Sequence, residues 1–261
     1  MAKGNYQITL PEGGFYEVEE LSNTLKMAAE EFEATEGLRR EFVANISHDM
    51  KTPLTVIKMN AEMIQTISGE DKDKRNAHLN RILNETEKLT EFINDTMYLS
   101  KLQSRTMPYN LKKMNISNLI KSVVSMFEIH REKEDFRIDI QIDPDLIVAG
   151  DRKLLGRVLS NFITNAIKYS GENKDIRIKS FRESGRIITQ VIDNGVGIDE
   201  SLLKNIWERY YQVEPYSVNK SGIGIGLHIA KEILELHHAQ YGVESKAAKG
   251  SMFWFALEEI K

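Results

Sequence analysis

Phe42-Val43-Ala44-Asn45-Ile46-Ser47-His48-Asp49-Met50-Lys51-Thr52-Pro53-Leu54 is the stretch from which the rest of the chain is read. Apolar residues at 42, 43, 46, 50, 54 and 57 recur at helical spacing, which predicts an amphipathic helix with His48 on a side away from most of the stripe. Pro53 follows about one turn later. It lacks an N–H and crowds the carbonyl four residues back, so a bend and a loosened backbone are expected there. Asp49 adjoins His48, and a neighbouring carboxylate can take the proton of one ring nitrogen and leave the other nitrogen's lone pair free to attack. A helical histidine beside an acid is more often a solvated surface pair, so the surroundings must decide.

Upstream, residues 5–16 hold Pro11 and Gly13-Gly14 and read as a connector. From Glu17 to Arg40 the pattern turns helical, with Leu21, Leu25, Ala28 and Phe32 spaced 4, 3 and 4 as in a coiled-coil seam. Apart from Gly37 no breaker separates this helix from the His48 stretch, so the two run together until Ser68-Gly69-Glu70-Asp71. Lys72 to Gln103 carries a second stripe, at Leu79, Ile82, Leu83, Leu89, Ile93 and Met97, which makes an antiparallel helical hairpin. Such a hairpin has an uncovered apolar face. Pairing two copies as a four-helix bundle covers it, and a homodimer is expected.

Beyond Pro108 the pattern changes. Residues 104–115 read as a linker, Ile116 to Glu132 as a helix, and Phe136–Ile142 as a strictly alternating strand. A short strand at Leu146–Ala149 follows, and Asp151 caps a helix to about Tyr169. Strands at 175–182 and 186–193 turn at Ser184-Gly185; a short helix near 199–204, a helix at 226–238 and strands at 240–246 and 251–258 complete the chain. Mostly antiparallel strands mixed with helices suggest a two-layer α/β sandwich as a second domain.

Composition narrows the function. The 261 residues allow two domains with real cores, and a 41% hydrophobic fraction suits a soluble fold. With 28% charged residues and a net charge of −4, no general basic field favours nucleic acid. Cysteine is absent, which removes disulfides and thiolate chemistry and fits a reducing compartment. The other histidines, His78, His130, His228, His237 and His238, show no metal-binding pattern and are read as surface or capping residues. No apolar run approaches the roughly 20 residues a membrane helix needs, and Met1-Ala2-Lys3-Gly4 is no signal peptide.

In the second domain, Asn161 and Asn165 stand at i and i+4 on one face of a helix whose other face is apolar. Asparagine suits a helix interior poorly, so two on one face pair with each other at the surface or offer amide oxygens to a hard cation such as Mg²⁺. Asp193-Asn-Gly195-Val-Gly197-Ile198 follows a strand and on its own is a tight turn. Gly222-Ile-Gly224-Ile-Gly226-Leu227 opens a helix whose unpaired N–H groups and positive dipole end suit phosphate, with 213–221 upstream able to close over a nucleotide. It is not a P-loop, because no Gly-Lys-Ser/Thr follows.

Taken together these strings resemble the sensor histidine kinases of two-component signalling. Ser47-His48-Asp49-Met50-Lys51-Thr52-Pro53-Leu54 is similar to their phosphoacceptor box, with Asp for the commoner Glu. Asn161 to Tyr169 resembles the N box, Asp193 to Ile198 and Gly222 to Leu227 the glycine boxes, and Ile206-Trp207-Glu208-Arg209-Tyr210-Tyr211 the aromatic box. The resemblance covers residues 40–258. It implies a helical phosphotransfer hairpin followed by an ATP-binding sandwich of the kind shared with gyrases and Hsp90-type chaperones. It further implies that His48 accepts phosphate, Asp49 is the base and Thr52 helps position water for dephosphorylating a response regulator. ATP and Mg²⁺ are the implied cofactors, with Asn165 the principal Mg²⁺ ligand and Asn161 beside it. Lys168 would lie near phosphate or ribose and Tyr169 against adenine. Asp193 would accept the adenine amine, with Gly195, Gly197 and Ile198 around the base, and Arg209, Tyr210, Gly222, Gly224, Gly226 and Leu227 complete the implied contacts. Gln212 stands where many members carry Arg, which leaves Arg209 or Lys220 for the terminal phosphate.

The segment before His48 resembles the second half of a HAMP signal-relay domain. The implied organisation is a connector and signalling helix at 1–36, the hairpin at 37–104, a linker at 105–115 and the catalytic domain at 116–261. The expected partners are a second copy and a response regulator, in the cytoplasm, with membrane attachment only through segments upstream. Two rivals stand beside this reading. A gyrase-type ATPase places Glu at the position of Asn161 to activate water, which an amide cannot do. A degenerate kinase acting as a dimeric scaffold is opposed by His48, Asn165, Asp193 and the glycines, and favoured only by Gln212.

Overall fold

The computed structural model describes residues 16–104, 108–128, 136–170, 174–209, 211 and 224–260; for part of the first helix, His48 included, it describes the backbone alone. The chain divides into two compact units, Met1–Leu89 and Thr90–Lys261. The connector at 5–15 lies outside the described residues.

The first unit is helical. Helix α1 (Tyr16–Met63) runs unbroken for 48 residues, through Gly37 and through Pro53, so the helix read upstream and the His48 stretch are one element. Leu25 and Phe32, two members of the upstream seam, are exposed. A π-helical turn (Ile64–Ser68) ends it, with the Ser68 hydroxyl donating to the Met63 carbonyl. Gly69 follows, where a Cβ would come within 2.7 Å of the Ile64 carbonyl oxygen, so the reversal needs a glycine. Asp71 then accepts from the N–H groups of Asp73 and Lys74 and starts helix α2 (Lys72–Gln103). Across the hairpin, fully buried Asn60 meets His78 Nδ1 at 2.7 Å. Leu54 on α1 and Leu79 and Leu83 on α2, members of the stripes read from the sequence, are left exposed, and so is Met59.

The second unit begins inside α2. Phe92, Leu99 and Leu102 are buried, and Asp95 and Tyr98 grip Arg157, the first by a short ion pair and the second through its ring face, 3.8 Å from the guanidinium carbon. Strand β1 (Lys112–Asn115) comes next, in a stretch read from sequence as linker; its polar residues show no alternation, and only pairing with β3 (Ile147–Gly150) makes it a strand. Helix α3 (Ile116–Glu128), α4 (Arg152–Tyr169) and α5 (Gly226–Leu236) form one layer. The other is a five-stranded sheet built from β2 (Phe136–Ile142), β4 (Lys174–Glu183), β5 (Arg186–Asp193), β6 (Gln240–Ser245) and β7 (Ser251–Glu258), in the order β2-β4-β5-β7-β6.

All pairings in that sheet are antiparallel except β2 with β4. The β4–β5 hairpin turns at Ser184 and Gly185, both with positive φ, as a tight two-residue turn requires. Burial alternates along β5, so Ile187, Thr189, Val191 and Asp193 face the helices. That alternation carries Asp193, the last of the series, to the inner face at the strand's end. Leu155, Val158, Leu159, Phe162, Ile163 and Ala166 of α4 cover the sheet, with Phe162 against Phe253 and Trp207. Asp151 caps α4 through the N–H groups of Lys153 and Leu154.

Candidate active site

Asp193 is the best-defined functional side chain. It is buried, and its Oδ1 accepts from the Gly195 N–H at 2.8 Å and the Ser251 N–H at 3.2 Å. Burial raises its carboxyl pKa, and the two N–H groups oppose that shift by stabilising the charged form. With Oδ1 occupied twice, and no partner for Oδ2 among the described residues, Oδ2 is the oxygen left for a donor on a ligand. The loop after it is held through its own backbone groups. The Val196 N–H donates to the Tyr169 carbonyl, that of Ala248 to the Val196 carbonyl and that of Ile198 to the Ser245 hydroxyl. A Cβ at Gly195 would stand 2.2 Å from the Tyr169 carbonyl oxygen, and one at Gly250 2.0 Å from that of Asp193, where φ is also +82°. Gly250 and Ser251 therefore belong to the site. Gly250 ends the turn between β6 and β7 and Ser251 opens β7, and their only sequence signal is a glycine before an apolar strand.

The N-box residues divide the work. Asn161 Nδ2 donates to the Gly226 carbonyl at 2.7 Å and so clasps α4 to the start of α5. Asn165, one turn on and half-buried, has no hydrogen-bond partner among the described residues, which leaves its amide oxygen available to a cation. Lys168 is half-buried with its ammonium 4.9 Å from the centre of the Tyr169 ring, and burial lowers its pKa. Tyr169 itself is partly exposed.

Helix α5 differs from α4 at its start. Ile225 occupies the capping position and supplies no side-chain acceptor, so the helix start has no side-chain cap among the described residues. Gly224, at φ +73°, turns the chain into the helix, and Leu227 lies in its first turn. A helix opened in this way suits an anion. Arg209 lies beside that turn, its Nε donating to His228 Nε2 at 2.9 Å. Tyr210, Gln212, Lys220 and Gly222 lie outside the described residues.

His48 and its neighbours lie on α1 of the first unit, with Asp49 half-buried and Thr52 exposed. Of the histidines read as surface or capping residues, His237 does cap the end of α5, but it and His228 are both buried. His228 and His237 have both ring nitrogens engaged, His237 through the Asp151 N–H and the Ile233 carbonyl. Sequence alone offered only the apolar neighbours on their helix as a hint.

Known proteins carry the same two parts. Residues 38–105 match the family described as the His Kinase A (phospho-acceptor) domain, and residues 150–261 the family of histidine kinase-, DNA gyrase B- and HSP90-like ATPases. With a phosphoacceptor module and an ATPase module in series, the chain belongs to the sensor histidine kinases of two-component signalling. It is similar to the sensor histidine kinase WalK of Bacillus subtilis, 33% identical over 222 residues that make up 84% of this chain and 36% of that protein. Drug sensory protein A of Synechocystis is 31% identical over 90% of this chain and 37% of its own length. The chain thus spans little more than a third of these relatives.

Among solved structures, the catalytic domain of histidine kinase ThkA is 28% identical over 57% of this chain and 98% of its own, with a TM-score of 0.51. The fold is also shared with ThkA in complex with response regulator protein TrrA (22% identity, TM-score 0.69, 90% of this chain and 66% of that one). The histidine kinase AdeS of Acinetobacter baumannii shares it as well (20%, 0.66, 82% and 98%).

Proposed function

We propose that this chain is an ATP-dependent histidine autokinase that phosphorylates His48 and passes the phosphoryl group to an aspartate of a response regulator. The observation that carries the proposal is Asp193, a buried carboxylate fixed through one oxygen by two backbone N–H groups, with the other oxygen left for the exocyclic amine of adenine. A base with a carbonyl there is rejected, because it sets two acceptors against each other. The start of α5, with no side-chain cap among the described residues, and the half-buried Lys168 suit the phosphates.

In the transfer, a ring nitrogen of His48 attacks the γ-phosphorus, the bond from that phosphorus to the β–γ bridging oxygen breaks, and ADP leaves. Asp49 takes the proton from the other ring nitrogen. Positioning and charge neutralisation do most of the work in such a step. Mg²⁺, when bound with the nucleotide, would supply neutralisation on the phosphates; the amide of Asn165, without a hydrogen-bond partner among the described residues, fits that role, and Asn161, whose Nδ2 serves Gly226, offers its oxygen beside it. Thr52, exposed one turn after His48, would orient water for removing phosphate from the regulator.

The exposed stripe of Leu54, Met59, Leu79 and Leu83 supports a homodimer. ThkA was solved with a response regulator, which supports the same kind of partner here. The 17–40 portion of α1 would serve as the signal-relay helix in a membrane-attached receptor whose kinase part is cytoplasmic.

Incubation with Mg²⁺ and γ-labelled ATP separates the readings. The autokinase gives protein-bound label that is acid-labile and base-stable and absent from His48→Gln. Free labelled phosphate with no bound label makes the chain an ATPase, and ATP binding with neither product makes it a scaffold.

A further inference from the structure

Three side chains stand in a row at one end of the sheet, on the face that meets the helices. Asp193 ends β5, Ser251 opens β7 one step past the register pair Ile192–Met252, and Ser245 ends β6 opposite Ser251. Asp193 and Ser251 are buried, and the Ser251 N–H donates to Asp193 Oδ1 at 3.2 Å. The partners of the two hydroxyls fix their hydrogens. A hydroxyl has one hydrogen to give and two lone pairs. The Gly250 carbonyl, 2.8 Å from Ser245 Oγ, can only accept, so it takes the Ser245 hydrogen. The Ile198 N–H, also at 2.8 Å, can only donate and fills one lone pair. Ser251 Oγ, at 2.9 Å, is left to donate to the other. Because β7 lies between β5 and β6, the Ser251 hydrogen points along the row away from Asp193.

We infer that Ser245 is a positioning residue for base selection: by taking the Ser251 hydrogen it keeps that hydroxyl off the Asp193 carboxylate, so that Oδ2 stays open to the amine of the base. This rests on the reading of Asp193 as the acceptor for adenine. A serine whose N–H already meets a carboxylate needs only a turn about χ1 to bring its hydroxyl to the same group. Hydrogen bonds to an ionised oxygen are stronger than those to a neutral one, so Ser251 released from Ser245 would turn to Asp193. There it would compete with the ligand for the one oxygen that the Gly195 and Ser251 N–H groups leave open. Ser245 also ties the loop after β5 through Ile198, and the two roles differ in what they do to a ligand that has no amine.

The test measures dissociation constants of ATP and of purine riboside triphosphate, which lacks the amine, for the full chain and for Ser245→Ala, Ser251→Ala and the double variant. The expected result is ATP binding weakened about fivefold in Ser245→Ala, the scale of one net hydrogen bond, with binding of the amine-free nucleotide unchanged. Ser251→Ala alone stays near wild type. Adding it to Ser245→Ala restores ATP binding, because the competing hydroxyl is gone. A residue that only held the loop would weaken both nucleotides, and a second deletion would not rescue it. Unchanged ATP binding in Ser245→Ala, equal weakening of the two nucleotides, or a double variant as weak as the single one overturns the inference. Should Ser245→Ala fail to fold, Ser245→Cys, which fills the same space with a poorer acceptor, is compared in the same way and read by the same outcomes. A wild-type chain that binds neither nucleotide, or both equally, sinks the reading of Asp193 instead.

Discussion

At the residue scale, buried polar side chains decide what this molecule can do. Asp193 is held by partners that leave one oxygen for a ligand, whereas His237 is committed wholly to the fold. Its Nε2 accepts from the Asp151 N–H and its Nδ1 meets the Ile233 carbonyl, so the neutral ring ties the cap of α4 to the end of α5, and the Tyr109 ring stands edge-on against it. Burial lowers the His237 pKa below its ordinary value of 6.5. Between that lowered value and 6.5 the unfolded chain binds a proton that the folded chain does not, so stability falls as pH drops through this window and levels off below it. Thermal unfolding followed from pH 7.5 to 5 is expected to show this fall in wild type and a flatter profile in His237→Gln; parallel profiles would contradict it.

Among elements, the helices of the hairpin and the strands of the β4–β5 turn were legible because one physical signal governs each. The stripe from Leu79 to Met97 predicted α2, and strict alternation predicted β2. Strand β1 was not legible, since Lys112 to Asn115 have no alternating pattern and become a strand only by pairing with β3. Nor was the engagement of Asn161 with Gly226, 65 residues apart, or that of Arg209 with His228. The motif strings placed the site's residues, but which amide serves the fold and which is open to a cation depends on contacts between helices.

The attachment of the last turns of α2 to α4 is another such contact. Arg157 pairs with half-buried Asp95 and covers the Tyr98 ring. Arg157→Ala removes a charge-assisted bond and a cation–π contact together and leaves Asp95, whose pKa burial already raises, without its counter-ion. A loss of about 1–3 kcal/mol is expected from such a change, read as a lower urea midpoint, with α2 protected less against hydrogen exchange after Leu89. An unaltered midpoint would mean that solvent already screens the pair.

For the whole molecule, the first unit presents an apolar stripe that a solitary hairpin leaves in water, and the second presents a buried carboxylate with one oxygen unengaged among the described residues. The stripe predicts association, and sedimentation should find a dimer that Leu79→Lys with Leu83→Lys converts to monomer; a wild-type monomer at micromolar concentration would contradict the bundle. The central claim joins the units chemically. Phosphorus NMR of the chain after treatment with Mg²⁺ and ATP, followed by removal of nucleotide at neutral pH, tests it most directly. The account predicts one phosphorus–nitrogen resonance, lost on acidification and absent from His48→Gln; no protein-bound phosphorus, or a signal that persists in His48→Gln, would contradict it.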